Sequence, residues 1–223
     1  MNIEGSIALV TGGNRGIGRH FVQQLLERGA AKVYAAARNP RTVDVPGAIP
    51  LALDITDPDA VAAAAAVATD LTLLVNNAGT ATGSDLVTGD LAKIRQELDT
   101  NFYGPLGMIR TFAPILARNG GGGILNLNSR MSWISYPGVN AYAVSKAAAW
   151  SMTNGVRLEL AGQGTQVTGL YLSSTDTDMM AGWDIAKNDP ADVVTVALDG
   201  LEAGAPEVLA DQETKETKAS LAA

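Results

Sequence analysis

Short continuous apolar runs alternate with longer stretches of helical periodicity along nearly the whole chain, and this alternation predicts its elements. Ile7 to Val10 reads as a buried strand. Ile17 to Arg28 reads as a helix, with Phe21 and Leu25 on one face and Gly29 near its end. Lys32 to Ala37 and Ile49 to Leu53 supply the second and third strands. Asp57-Pro58 is a helix start, with aspartate as N-cap and proline at the first helical position. The alanine run to Ala68 continues it as an ordinary packed helix, because alanine is the best helix former. Leu71 to Val75 is a fourth strand, followed by a long helix over about Asp90 to Ala117 that is disturbed at Gly104-Pro105. A glycine loop at Gly120 to Gly123 leads into strand five, Ile124 to Leu127. A helix over Asn140 to Ala161, strand six over Gln166 to Leu172, a last helix from near Pro190 and a short seventh strand at Glu207 to Ala210 complete the series.

Continuously apolar strands separated by helices imply a parallel sheet covered on both faces. The expected fold class is therefore α/β, a doubly wound parallel sheet in a Rossmann-type three-layer α/β/α sandwich. Residues 1–223 read as a single such domain, with a polar C-terminal tail over 211–223. Ligands in such a fold sit beyond the carboxyl ends of the strands.

Composition narrows the chemistry. With 47% hydrophobic residues the chain has ample apolar material for one core. No cysteine is present, which excludes disulfides, thiolate nucleophiles and Cys-ligated zinc. A single histidine, His20, on the first helix is expected at the surface or in packing, and it rules out multi-histidine metal sites. A net charge of −7 argues against a nucleic-acid partner. No apolar run approaches the roughly 20 residues needed to span a bilayer, and the N-terminus lacks the basic and apolar regions of a secretory signal. A cytoplasmic protein without a membrane partner is the expectation.

Between strand one and helix one lies Thr11-Gly12-Gly13-Asn14-Arg15-Gly16-Ile17-Gly18. Glycines there permit a tight turn and let the backbone approach a pyrophosphate at a helix N-terminus, although the spacing is not G-x-G-x-x-G and a purely structural turn is the competing reading. Strand two ends at Ala37-Arg38 with no acid to hold a ribose 2′-hydroxyl; the nearest downstream acid is Asp44. Arg38, with Arg15 as a second cation, instead suits a 2′-phosphate and hence NADP(H) over NAD(H), or both are solvated surface arginines.

Tyr142 and Lys146 stand four residues apart on a predicted helix and so share a face. An ammonium beside a phenol favours phenolate, bringing tyrosine toward acid–base work near neutral pH. Ser129 closes strand five, Asn76-Asn77-Ala78-Gly79 closes strand four, and Asn101 lies beside the helix disturbance. These ordered motifs, from TGGNRGIG through NNAG to Ser129 and Tyr142-Ala-Val-Ser-Lys146, resemble the short-chain dehydrogenase/reductase family over nearly the whole chain.

The resemblance implies that Tyr142 is the general acid in carbonyl reduction and the base in alcohol oxidation. It implies that Lys146 lowers the tyrosine pKa and holds the nicotinamide ribose, placing both Tyr142 and Lys146 against the cofactor. Ser129 is to hold the substrate oxygen and Asn101 to anchor a water in the proton relay, or else to satisfy backbone groups freed by the disturbance. Gly12, Asn14, Arg15, Gly16, Ile17 and Gly18 are to cradle the cofactor, with Arg38 at its 2′-phosphate. Asp54 and Ile55 are to flank its adenine, Asn77, Ala78 and Gly79 its ribose, and Thr177 its carboxamide; Asp54 and Thr177 also admit a plain capping or loop role. No metal is implied. A homotetramer or homodimer through the fourth and fifth helices is implied as well.

Two departures stand out. Where the family usually carries Pro-Gly after strand six, this chain has Leu172-Ser173, which predicts a looser or differently shaped carboxamide pocket. Asn128 occupies a position usually held by a small residue, and Arg130 beside Ser129 is expected to point into solvent. Met179, Met180 and Trp183 form a compact lid, with Trp133 and Tyr136 as an apolar wall, or pack in the core or a subunit interface. The reading reached is reversible NADP(H)-dependent reduction of small, uncharged, hydrophobic ketones or aldehydes. The alternative is an NADP(H)-binding regulator or scaffold on the same fold. A nucleotide-free dehalogenase or lyase is disfavoured by the complete glycine loop.

Overall fold

The computed structural model describes residues 1–222. Seven strands, β1 (Ile7–Thr11), β2 (Lys32–Ala37), β3 (Ile49–Ala52), β4 (Leu73–Asn76), β5 (Gly123–Leu127), β6 (Gln166–Tyr171) and β7 (Glu207–Leu209), form one sheet in the order β3-β2-β1-β4-β5-β6-β7. Every pairing is parallel. The winding reverses between β1 and β4, and a crevice opens there at the carboxyl ends of the strands.

The period-two alternation of the strands sorts their side chains into two cores. Ala8 and Val10 face one layer, where Phe21, Val22 and Leu25 of α1 (Gly16–Glu27) meet Val194, Leu198 and Leu201 of α6 (Pro190–Glu202). Leu9 faces the other, against Met108, Phe112 and Leu116 of α4 (Gly104–Arg118) and Met152 and Val156 of α5 (Asn140–Leu160). Burying one such side chain contributes roughly 1.5–3 kcal/mol. The alanine-rich helix α2 (Pro58–Val67) begins as expected, with the Asp57 carboxylate accepting from the Asp59 N–H.

Two elements differ from the sequence pattern. The predicted long helix is α3 (Leu91–Leu98) joined to α4 through a π-turn at Asp99–Tyr103. The disturbance thus lies just before Gly104-Pro105, with the proline in the first turn of α4. The stretch read as a polar tail contains a further helix, α7 (Gln212–Ser220), so the helix at Pro190 is not the last. Among the described residues, no helix is long and apolar enough to cross a membrane.

Candidate active site

The crevice is a cleft of about 1560 Å³ that runs from the glycine loop past Arg38, Asp54 and Ile55 to Ser129, Tyr142 and Lys146. That exceeds the ~300–1,000 Å³ of ordinary small-molecule sites and suits a dinucleotide together with a substrate. Gly12, Asn14, Arg15, Gly16, Ile17, Gly18, Asn77, Ala78, Gly79 and Thr177 also line it.

The glycine loop is shaped by what it must avoid. Gly12 and Gly16 have φ of +66° and +50°, the left-handed region that side chains disfavour. A Cβ on Gly18 would lie 2.1 Å from the Gly12 carbonyl oxygen and 2.5 Å from Asn77 Nδ2. The Thr11 hydroxyl accepts from the N–H groups of Asn77 and Ala78, both at 3.0 Å, and the Asn77 amide donates to the Thr11 carbonyl at 2.8 Å. The side chain of Asn77 therefore holds the loop in place. The closely packed backbone left at the start of α1 fits a nucleotide pyrophosphate.

At the end of β2, Arg38 is exposed on the cleft wall and makes no ion pair among the described residues. Hydrogen bonds from the Thr56 N–H and hydroxyl hold the Asp54 carboxyl below its ordinary range, and the Arg38 charge adds to this. Asp54 thus makes a loop contact with its carboxylate while still lining the cleft. Arg15 differs from the expectation: its guanidinium reaches Asp178 across the cleft at 3.2 Å, both groups being well exposed.

Tyr142 and Lys146 share a face of α5, with the ammonium 5.6 Å from the phenol ring centroid. The electrostatics reverse one expectation. Burial pushes the Tyr142 hydroxyl up to about 12; the neighbouring Ser129 hydroxyl opposes this, and the Glu97 carboxylate adds to it. The Lys146 ammonium donates to the Leu127 carbonyl at 2.9 Å, and burial lowers its own pKa to about 8. Ser129, only 7% exposed, N-caps the turn at Arg130–Ser132 by accepting from Met131 N–H at 3.1 Å.

Asn101 lies inside the π-turn and is buried. Its Oδ1 accepts from Thr80 N–H at 2.9 Å while Nδ2 donates to the Thr80 carbonyl at 2.8 Å and to Ser145 Oγ at 2.9 Å. Ser145 in turn donates to the Tyr142 carbonyl at 2.8 Å, so Asn101 links the loop after β4 to the turn of α5 that carries Tyr142. Buried Asn128 joins a polar ladder behind the site, its amide and that of Asn126 both donating to Thr153 Oγ1.

Arg130 does not point into solvent: its side chain is 16% exposed, paired with Glu213 of α7 at 2.5 Å, and 5.4 Å from the Tyr136 ring. Trp133 lies outside the cleft and stacks on Tyr171 at 4.7 Å. Tyr136, Met179, Met180 and Trp183 do line the cleft. At Leu172-Ser173, Ser173 N–H donates to Asp211 at 2.8 Å, and Asn188 donates to both Ser173 Oγ and the Ser174 carbonyl at 3.1 Å. Residues missed by sequence reasoning are Glu97, fully buried with Oε1 accepting from Thr82, and Asp211 and Glu213, which lay in the supposed tail. The only signal for Asp211 was its N-cap position ahead of a polar helix-forming run.

A seven-stranded doubly wound sheet, a glycine turn after β1 and a Ser-Tyr-Lys cluster beyond β5 define a dinucleotide-binding α/β class. Residues 6–188 match the sequence profile described as short chain dehydrogenase, and the chain belongs to the short-chain dehydrogenase/reductase family. A crystal structure of a short chain dehydrogenase from Burkholderia cenocepacia J2315 in complex with NADP is similar at a TM-score of 0.96 and 38% identity, covering 100% of this chain and 95% of that one. Carbonyl reductase [NADPH] 2 of Sus scrofa is 33% identical over 169 residues, 72% of this chain and 68% of that protein. NADPH-dependent 1-acyldihydroxyacetone phosphate reductase of Schizosaccharomyces pombe is 32% identical over 182 residues, 78% of this chain. The chain spans 61% of that reductase's length and 44% of that of the short chain dehydrogenase tazN of Aspergillus terreus.

Proposed function

We propose that this chain is an NADP(H)-dependent oxidoreductase that reduces ketones or aldehydes to alcohols, reversibly, with Tyr142 as the proton donor. The observation that carries this reading is a single cleft holding the glycine loop, an Arg38 at the end of β2 that makes no ion pair among the described residues, and Tyr142 beside Ser129 and Lys146. The NADP complex of the Burkholderia cenocepacia neighbour and the NADPH in the names of both reductases support the same cofactor.

When bound, the nicotinamide supplies or accepts the hydride. Gly12, Gly16, Gly18 and the N-terminus of α1 would hold its pyrophosphate, Arg38 its 2′-phosphate, Ile55 its adenine, Lys146 its ribose and Thr177 its carboxamide. Ser129 orients the substrate oxygen and donates toward the negative charge that develops there. Tyr142, protonated throughout the neutral range because burial raises its pKa, is ready to give its proton to that oxygen. Asn101 keeps the turn carrying Tyr142 fixed through Ser145.

Tyr136, Met179, Met180, Trp183 and Ile185 make the substrate end of the cleft apolar, and Glu213 neutralises Arg130 beside it. This supports an uncharged, hydrophobic carbonyl compound. Self-association through α4 and α5 belongs to the same proposal, with Val144 and Leu158 exposed on α5. The test is NADPH consumption over ketones of graded size and charge, with NADH in parallel. Turnover of uncharged ketones with NADPH favoured is expected. Tighter binding of NADH would overturn the cofactor assignment, and NADPH binding without oxidation by any carbonyl compound would point to a regulator.

A further inference from the structure

Helix α7 has no apolar stripe to bury. Its sequence, Gln212 to Ser220, is polar or small throughout, and nine residues is below the length at which an isolated helix persists in water. Directed contacts hold it instead, and they converge on the active-site loops. Asp211, its N-cap, accepts from Thr214 N–H at 2.8 Å through Oδ1 and from Ser173 N–H at 2.8 Å and Thr214 Oγ1 at 2.9 Å through Oδ2. Glu213 pairs with Arg130, whose own N–H donates to the Leu172 carbonyl at 3.0 Å. Lys218 sits 4.5 Å from the ring centroid of Trp133 and pairs with Glu207 at 3.1 Å. The loop following Ser129 and the loop following β6 are thus joined to one another and to one short helix.

The chain lacks the Pro-Gly step that would stiffen the loop after β6, and no residue of Leu172 to Thr177 has the positive φ that glycine would supply there. A carboxylate from outside the loop does that work by accepting the Ser173 N–H. We propose that α7 acts as a clamp setting the geometry of both active-site loops, with Asp211 the positioning residue for the cofactor-facing loop at Ser173. This rests on the NADP(H) reading of the cleft.

Asp211→Ser separates the two roles of the carboxylate. Serine is an N-cap of equal quality, so α7 keeps its cap, but its side chain is too short to serve Ser173 as well. In the protein without added nucleotide, amide hydrogen exchange over 172–177 should speed up while α7 stays protected. The melting temperature should stay within a few degrees of wild type. With NADPH and a ketone that wild type reduces, kcat should fall and KM for NADPH rise, about tenfold in kcat/KM, the size of one lost charge-assisted hydrogen bond. In a Leu172→Pro/Ser173→Gly background, where the turn is stiff by itself, the same substitution should cost less than about twofold.

Wild-type exchange and kinetics in Asp211→Ser would overturn the proposal, as would an equal loss in both backgrounds. If the double background does not fold, the single variant decides: a loss of stability without a kinetic change counts against a positioning role. Failure of the underlying cofactor reading looks different, because wild type itself then neither binds nor oxidises NADPH.

Discussion

Lys146 and Tyr142 are displaced in opposite directions by one cause, burial, which disfavours each group's charged form. Lys146 is lowered from 10.5 to about 8, so between those values the unfolded chain binds more protons than the folded one, and stability rises with pH across that window. Tyr142 is raised from 10.0 to about 12; there the folded chain binds more protons and stability falls as pH rises through that interval. Replacing Lys146 by methionine removes the first effect. Wild type should therefore gain in melting temperature relative to Lys146→Met as pH is raised from 7 to 10, and a constant difference would contradict the burial of its charge. In wild type, kcat/KM for reduction should also fall above about pH 8, where the ammonium is lost. The position of this pair was legible from its four-residue spacing, but its electrostatics were not. The sequence places a cation near a phenol, whereas only the fold shows that cation committed to the Leu127 carbonyl.

Among the elements, the π-turn contributes most to the site. An extra residue in the helical turn at Asp99–Tyr103 carries Asn101 inward, where its amide satisfies both backbone groups of Thr80 and reaches Ser145. Asn101→Ala should orphan those partly buried groups at a cost of about 2 kcal/mol, a fall in melting temperature of roughly 4–8 °C. It should lower activity as well, because Ser145 holds the turn bearing Tyr142. Thermal denaturation checks the first part; an unchanged melting temperature would deny the clamp any energetic role. A helix disturbance was readable from Gly104-Pro105, but its location was not, since a π-turn has no composition of its own. The apolar periodicity also failed at α7, for a physical reason: that helix is held by ion pairs and a shared carboxylate, which leave no hydrophobic period to detect.

For the whole molecule, the strand–helix alternation was enough to imply the doubly wound sheet, because strands buried on both faces must be continuously apolar. The crevice between β1 and β4 follows from that topology, and the glycine loop, Asn77 and Ser129 fall on its rim because each closes a strand. What the alternation leaves open is which side chains from distant segments meet: Arg15 with Asp178, Arg130 with Glu213, Ser173 with Asp211. Those pairings join parts of the chain far apart in sequence. Proton transfer from Tyr142 within an NADPH-loaded cleft is the central claim for this molecule, and Tyr142→Phe tests it most directly. The phenylalanine variant should bind NADPH within about twofold of wild type while kcat for ketone reduction falls by roughly 10²–10⁴-fold, the usual contribution of a positioned general acid. Turnover equal to wild type in that variant would contradict it.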